Sequence, residues 1–292
     1  MPDMRRRPRV GALGAGWIGR HRLETLVAAD LVDLVAVADP VTEAASEAAG
    51  LAPGAVALED LDGLLGLDLD GLVVATPTAL HATQSALALR AGLAVCCQKP
   101  LARSGDEAEA VVAAARRANR LLLVDFSYRY TDAARVVRDE FQAGAIGTLV
   151  AATLTFHNAY GPDKAWYGTR DLAGGGCLMD LGVHLLDLLT WITGAGVTRV
   201  SSSVLFAQGR RWHDPTLVED HAQCAFDLEG GASATLGCSW WLPAGCDAVM
   251  EVALYGTRGG LRMCNVAGSF HDFVAERLDG TRTHVVSAPP DA

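Results

Sequence analysis

Asp180 and His184 stand four residues apart in a segment whose pattern predicts a helix from about Cys177 to Trp191, so both leave one helical face. A carboxylate beside an imidazole can handle a proton, and histidine is the side chain that titrates nearest neutral pH. Just ahead, Gly174-Gly175-Gly176 would let the backbone approach a ligand closely. The same residues also read as an ordinary intrahelical pair or a packed core histidine. Asp187, one turn further on, reads as a supporting residue. A second candidate is Lys99. Of the 24 basic residues only Lys99 and Lys164 are lysines. Lys99 follows the predicted strand Leu93–Cys97, at the carboxyl edge where doubly wound sheets bind ligands. Its ammonium is a compact donor whose pKa moves readily on burial, whereas a guanidinium cannot titrate usefully. A plain surface loop lysine is the other reading, and Lys164 is read that way.

A third pattern is Gly14-x-Gly16-x-x-Gly19, placed after a strand (Arg9–Leu13) and opening a helix (Trp17–Ala29), with Asp39 closing the next strand. These are the parts of a dinucleotide fingerprint: a tight turn, close backbone approach to a pyrophosphate at a helix N-terminus, and a carboxylate for a ribose diol. Asp39 should repel a 2′-phosphate, and Pro40 and Val41 offer no arginine to receive one. NAD is therefore expected over NADP.

Stepping outward, strands and helices alternate strictly to Asp125, with strands such as Gly71–Ala75 almost wholly apolar. That predicts an α/β Rossmann domain with a doubly wound parallel sheet over residues 1–126. Ser104 and Glu107 read as a capping box opening one of its helices. From residue 127 to 292 the pattern changes to helices followed by sequential strands: Val200–Ala207, His221–Leu228, Ala232–Trp241 and Ala248–Tyr255. An α+β domain with a large, mostly antiparallel open sheet is expected there, with helices on one face.

Bulk composition narrows the function classes. Half of the residues are hydrophobic and a fifth charged, which is globular rather than disordered. A net charge of −10 with no lysine-rich stripe argues against nucleic acid or an anionic membrane as partner. The seven cysteines are scattered without a C-x-x-C pair, so neither a disulfide framework nor a metal site is expected. Arg5, Arg6 and Arg7 precede a glycine-rich strand and not an apolar signal core. No segment reads as a bilayer span of roughly 20 apolar residues, and a cytoplasmic location is expected.

Taken in order, these motifs resemble the Gfo/Idh/MocA (glucose–fructose oxidoreductase/inositol dehydrogenase) family. The resemblance rests on the Gly14–Gly19 turn with Asp39, on Ala75-Thr76-Pro77-Thr78-Ala79-Leu80-His81, on Gln98-Lys99-Pro100 and on the run Gly174 to His184. It implies an oxidoreductase acting on a carbinol of a sugar, inositol or related polyol. Lys99 would hold the reacting oxygen, His184 would act as general base, and Asp180 would orient substrate. Gly14, Gly16, Trp17, Ile18, Gly19, Asp39, Thr76, Pro77, His81 and Gln98 would meet the cofactor. Arg129, His157, Tyr160, Trp166, Tyr167 and Arg170 would face the substrate, with specificity in the loop from Asn158 to Ala173.

Two departures stand out. The family usually has Glu-Lys-Pro, and Gln98 removes that negative charge, which is expected to disfavour the protonated lysine and move the pH optimum. The family also usually continues past the point where this chain stops, so either the second domain is short at its C-terminus or that end is missing from this sequence. Two other functions stay open at this level, a non-enzymatic NAD or sugar sensor and an NAD-dependent glycoside-cleaving enzyme. Pairing into a homodimer or homotetramer through the second-domain sheet, near Ser239-Trp240-Trp241, is expected equally with ordinary packing of that strand.

Overall fold

The computed structural model describes residues 6–214 and 216–289. Arg5 and the C-terminal end, both noted above, lie outside the described residues. The chain divides into two units, residues 6–125 with Asp171–Gly174, and residues 126–170 with 175–289.

The first unit alternates β1 (Arg9–Leu13), α1 (Trp17–Ala28), β2 (Asp33–Ala38), α2 (Thr42–Ala49), β3 (Val56–Leu58), α3 (Leu61–Leu65), β4 (Gly71–Val74), α4 (Thr78–Arg90), β5 (Ala94–Gln98), α5 (Gly105–Ala118) and β6 (Leu122–Asp125). All strand pairs are parallel, in the order β3-β2-β1-β4-β5-β6. The order reverses at β1 and β4, whose last residues Leu13 and Val74 are register partners. Helices on both faces of a parallel sheet bury its central strands, and all four residues of β4 are buried, whereas the edge strands β3 and β6 are partly exposed. Ser104 caps α5 by accepting from the N–H of Glu107 at 3.2 Å. The reciprocal arm of the expected capping box differs: the Glu107 carboxylate takes the N–H and guanidinium of Arg103 instead.

The second unit contains α6 (Asp132–Gln142), β7 (Leu149–Asn158), α8 (Val183–Thr193), β8 (Val197–Ala207), β9 (Arg210–Arg211), β10 (His221–Leu228), β11 (Ser233–Ser239), β12 (Ala248–Gly256), β13 (Gly260–Asn265), β14 (Phe273–Asp279) and β15 (Arg282–Ser287); the four-residue α7 (Arg170–Ala173) precedes the glycine triplet. Nine strands form one sheet, ordered β15-β14-β13-β12-β7-β11-β10-β8-β9. Among the described residues, only β7 and β11 of this sheet pair in parallel. Alternation along the strands gives the sheet one buried face. Leu154 and Phe156, Leu236 and Cys238, and Met250 and Val252 pack there with Leu185, Leu188, Leu189 and Ile192 of α8. Strand β11 ends two residues before the expected Trp241, which turns to positive φ.

One expectation is corrected. Arg170–Thr193 is long and apolar enough, by length and composition, to cross a membrane. Half of its apolar window is buried inside the protein, as in a core helix.

Candidate functional site

In the first unit, the glycine turn is built by steric necessity at two positions and by something else at the third. Gly14 has φ +96° and donates its N–H to Ala38 O at 2.9 Å; a Cβ on it would lie 2.6 Å from Ala75 O. A Cβ on Gly19 would lie 2.1 Å from Gly14 O. Gly16 has an ordinary φ of −63°, and a Cβ there would meet no protein atom within 4 Å. Nothing in the fold demands glycine at 16. The bare backbone there, at a helix N-terminus without a side-chain cap or an acidic first turn, suits a pyrophosphate. Trp17 is exposed and stacks on His21.

Asp39 completes this turn in a way that the spacing did not reveal. Its Oδ2 accepts from the N–H of Ala15 at 2.8 Å and its Oδ1 from the N–H of Val41 at 2.9 Å. The carboxylate is thus fixed against the turn it serves, with lone pairs left for a diol.

The loops after β4 and β5 are tied together by His81, which is buried. Its ring nitrogens lie 2.6 Å from Thr76 O and 2.7 Å from Pro100 O. Burial pushes this imidazole below its ordinary value, the charge of Lys99 adds to that, and the two carbonyls oppose it. Thr76 Oγ1 donates to Gln84 at 2.6 Å. Lys99 follows β5 at once and joins Pro100 through a cis peptide. Gln98, which stands where the family usually has a glutamate, donates its Nε2 to Asp125 Oδ2 at 3.0 Å, and that carboxylate is paired with Arg22.

In the second unit the helix bearing Asp180 and His184 departs from the expected regular helix. Leu178–Gly182 form a π-helical turn and α8 begins only at Val183. Wide turns of this kind recur at functional sites. Its start is capped by Glu219, a residue that sequence reasoning missed because it lies 43 positions from Gly176. Glu219 Oε1 accepts from the N–H groups of Gly176 and Leu178 at 2.9 and 3.0 Å, and its carbonyl accepts from Cys177 at 2.9 Å. Gly176 is required because a Cβ would lie 1.8 Å from Glu219 O.

Asp180 Oδ2 accepts from the indole Nε1 of Trp240 at 3.1 Å. The charge of Asp180, after burial itself, pushes the phenols of Tyr128 and Tyr167 up. His184 is buried and walled by rings: Tyr128 at 4.9 Å, Phe126 at 5.9 Å and Phe156 at 6.3 Å between centroids. Asp187, read from the sequence as a supporting residue, is buried on α8. It is gripped at two points by Arg129, Nε to Oδ2 at 2.6 Å, and the guanidinium also lies over Phe126. Burial raises the Asp187 carboxyl against the pull of Arg129.

The residues expected to face substrate fall into three groups. Trp166 stacks on Tyr167 at 3.8 Å, and Tyr167 meets Trp240 edge-on, which links this pair to Asp180. Tyr160 packs near Phe270, and Arg170 lies over Trp212. The third group stands apart: Arg129 is engaged by Asp187, and His157 turns to the sheet face opposite Phe156. There His157 Nδ1 lies 2.7 Å from Ser239 Oγ and its ring stacks on His221.

A parallel sheet carrying a dinucleotide turn, and an α+β unit carrying a braced carboxylate–imidazole helix, define a nucleotide-dependent oxidoreductase architecture. Residues 8–126 match the oxidoreductase family NAD-binding Rossmann fold, and residues 134–262 match the GFO/IDH/MocA C-terminal domain. The chain belongs to the GFO/IDH/MocA family of oxidoreductases. It is 30% identical over 287 residues to the D-apiose dehydrogenase of Paraburkholderia graminis, covering 96% of this chain and 73% of that one. It is 29% identical over 254 residues to the rhizopine catabolism protein MocA of Rhizobium meliloti, covering 86% and 76%. Among solved structures it resembles GenD2 from gentamicin A biosynthesis in complex with NAD, with TM-score 0.80 and 29% identity over 89% of this chain and 72% of that one.

Proposed function

We propose that this oxidoreductase moves a hydride between NAD and a carbinol or ketone carbon of a sugar, inositol or related polyol. The observation that carries this reading is the construction around Asp180 and His184. The carboxylate is held by an indole N–H, the imidazole by an aromatic wall, and the helix start by a buried carboxylate. A proton-transfer pair needs such fixing.

Bound NAD supplies the hydride acceptor. In oxidation, His184 takes the hydroxyl proton at a ring nitrogen as the C–H bond gives up its electron pair and the C–O bond becomes a carbonyl. The Lys99 ammonium hydrogen-bonds the reacting oxygen while its negative charge builds. Asp180 orients the polyol and the imidazole. Tyr160, Trp166, Tyr167 and Arg170 form the substrate side; Arg129 and His157 serve the scaffold instead. Asp39 favours NAD over NADP, because a fixed carboxylate repels a 2′-phosphate. Thr76, Pro77 and His81 shape the cofactor side.

The test is a panel of sugars, inositols and sugar acids with NAD or NADP, followed by absorbance of the reduced cofactor. Lys99→Met and His184→Ala should each lose turnover by about 100-fold or more; turnover that survives in both overturns the mechanism. Release of free sugar without net NADH would assign glycoside cleavage instead. We also propose that two copies pair through the open sheet face, which light scattering of the purified protein checks; a monomer at all concentrations overturns it.

A further inference from the structure

Gln98 sits in a chain of hydrogen bonds drawn from three elements. Its Oε1 accepts the main-chain N–H of Lys99 at 2.8 Å, and its Nε2 donates to Asp125 Oδ2 at 3.0 Å. That same oxygen accepts from Arg22 Nε at 2.5 Å. Gln98 and Asp125 are register partners at the ends of β5 and β6, and Arg22 reaches them from α1. The position therefore needs an acceptor toward Lys99 and a donor toward Asp125. An amide has both, whereas an ionised carboxylate has only the first.

We propose that Gln98 is a positioning residue for Lys99, a neutral bridge that fastens the lysine main chain to the Arg22–Asp125 ion pair. Asp125 already places a carboxylate here, so a second at 98 would face it across about a hydrogen bond's length with one arginine between them. The other titratable groups at this spot are Cys96 and Cys97. Burial and the charge of Asp125 both act on these thiols, pushing them to about 11 and about 12, so they stay neutral. From α4, the ring of His81 lies against the carbonyls of Thr76 and Pro100, the latter next in the chain after Lys99.

The value of holding Lys99 rests on the role proposed for it above, so the test needs readouts independent of turnover. Gln98→Glu, Asp125→Asn and the double variant are compared as full chains. An amine acetylating reagent modifies Lys99 and Lys164, and peptide mass spectrometry gives the ratio of the two rates, with exposed Lys164 as internal reference. Gln98→Glu should move that ratio at about pH 8 and lower the melting temperature. The melting deficit should shrink towards about pH 5, where the carboxyl pair shares a proton. The double variant restores a donor at 125 and an acceptor at 98, and should return both readouts to wild type. Where a substrate is in hand, kcat/KM of Gln98→Glu should fall by about tenfold and recover in the double variant.

The bridge is overturned if Gln98→Glu matches wild type across this pH range, or if the double variant is as impaired as the single. Should Gln98→Glu fail to fold, folding of the double variant supports the bridge and its failure overturns it. Labelling and melting that follow the pattern without turnover in any chain would reject the proposed activity and leave the bridge standing.

Discussion

Trp240 donates its indole N–H to Asp180 Oδ2 at 3.1 Å, joining residues 60 positions apart in the chain. Trp240 also meets Tyr167 edge-on, so one buried ring both holds the carboxylate and backs the Trp166–Tyr167 pair. Trp240→Phe keeps a ring and removes the donor. We expect kcat/KM to fall about tenfold, the worth of one charge-assisted hydrogen bond, with folding lowered by about 1–2 kcal/mol. Steady-state kinetics beside a urea titration check this; unchanged kinetics would mean that Asp180 is oriented by other contacts.

The glycine turn separates fold from ligand. Gly19→Ala drives a methyl into Gly14 O and should destabilise the protein by several °C or prevent folding. Gly16→Ala enters open space and should leave the melting temperature within about 2 °C of wild type, yet weaken NADH binding by about tenfold or more. Fluorescence titration of NADH into both variants decides it. Equal affinity in Gly16→Ala and wild type would refute a pyrophosphate at this turn.

Arg129 grips Asp187, whose side chain is 7% exposed against 35% for the arginine. Removing the arginine leaves a buried carboxylate unpaired. Arg129→Ala should cost about 2–4 kcal/mol, somewhat below the value for a wholly dry pair because the guanidinium is partly wet. Arg129→Ala combined with Asp187→Leu should recover much of this in denaturant melts. A double variant no better than the single would show that the arginine acts through its aromatic contacts instead.

Burial pushes His81 and His157 below the ordinary histidine range, with Lys99 and His221 respectively adding to the effect. Folded chains therefore resist a proton that unfolded chains accept near pH 6.5. Stability from these groups is present above about pH 6.5 and declines as pH falls through that value. Melting temperatures taken from about pH 7.5 to about pH 5 should drop less steeply in His81→Asn and His157→Gln than in wild type. Parallel slopes would show that neither imidazole carries the acid sensitivity.

Much of the fold was legible because its causes are local. Apolar strands alternating strictly with helices indicate a parallel sheet, and the change of pattern after Asp125 marks the α+β half. The glycine turn, the Asp39 spacing and the Asp180–His184 interval are short-range patterns, so a dinucleotide-binding fold and a candidate carboxylate–imidazole pair were legible in the sequence alone. Interactions across long stretches of chain were not legible. No spacing announces that Glu219 caps the helix at Gly176, that Trp240 aims Asp180, or that Asp125 stands beside Gln98. The π-helical turn at Leu178–Gly182 was missed because its sequence is as helical as that of its neighbours. His157 and Phe156 differ by one position and so fall on opposite faces of the sheet, a parity fixed by strand register. Sequence periodicity and glycine placement determined what the backbone must do within an element. Which side chains meet, and which charges neutralise one another, was decided only by tertiary packing, because burial selects partners by distance in space and not along the chain.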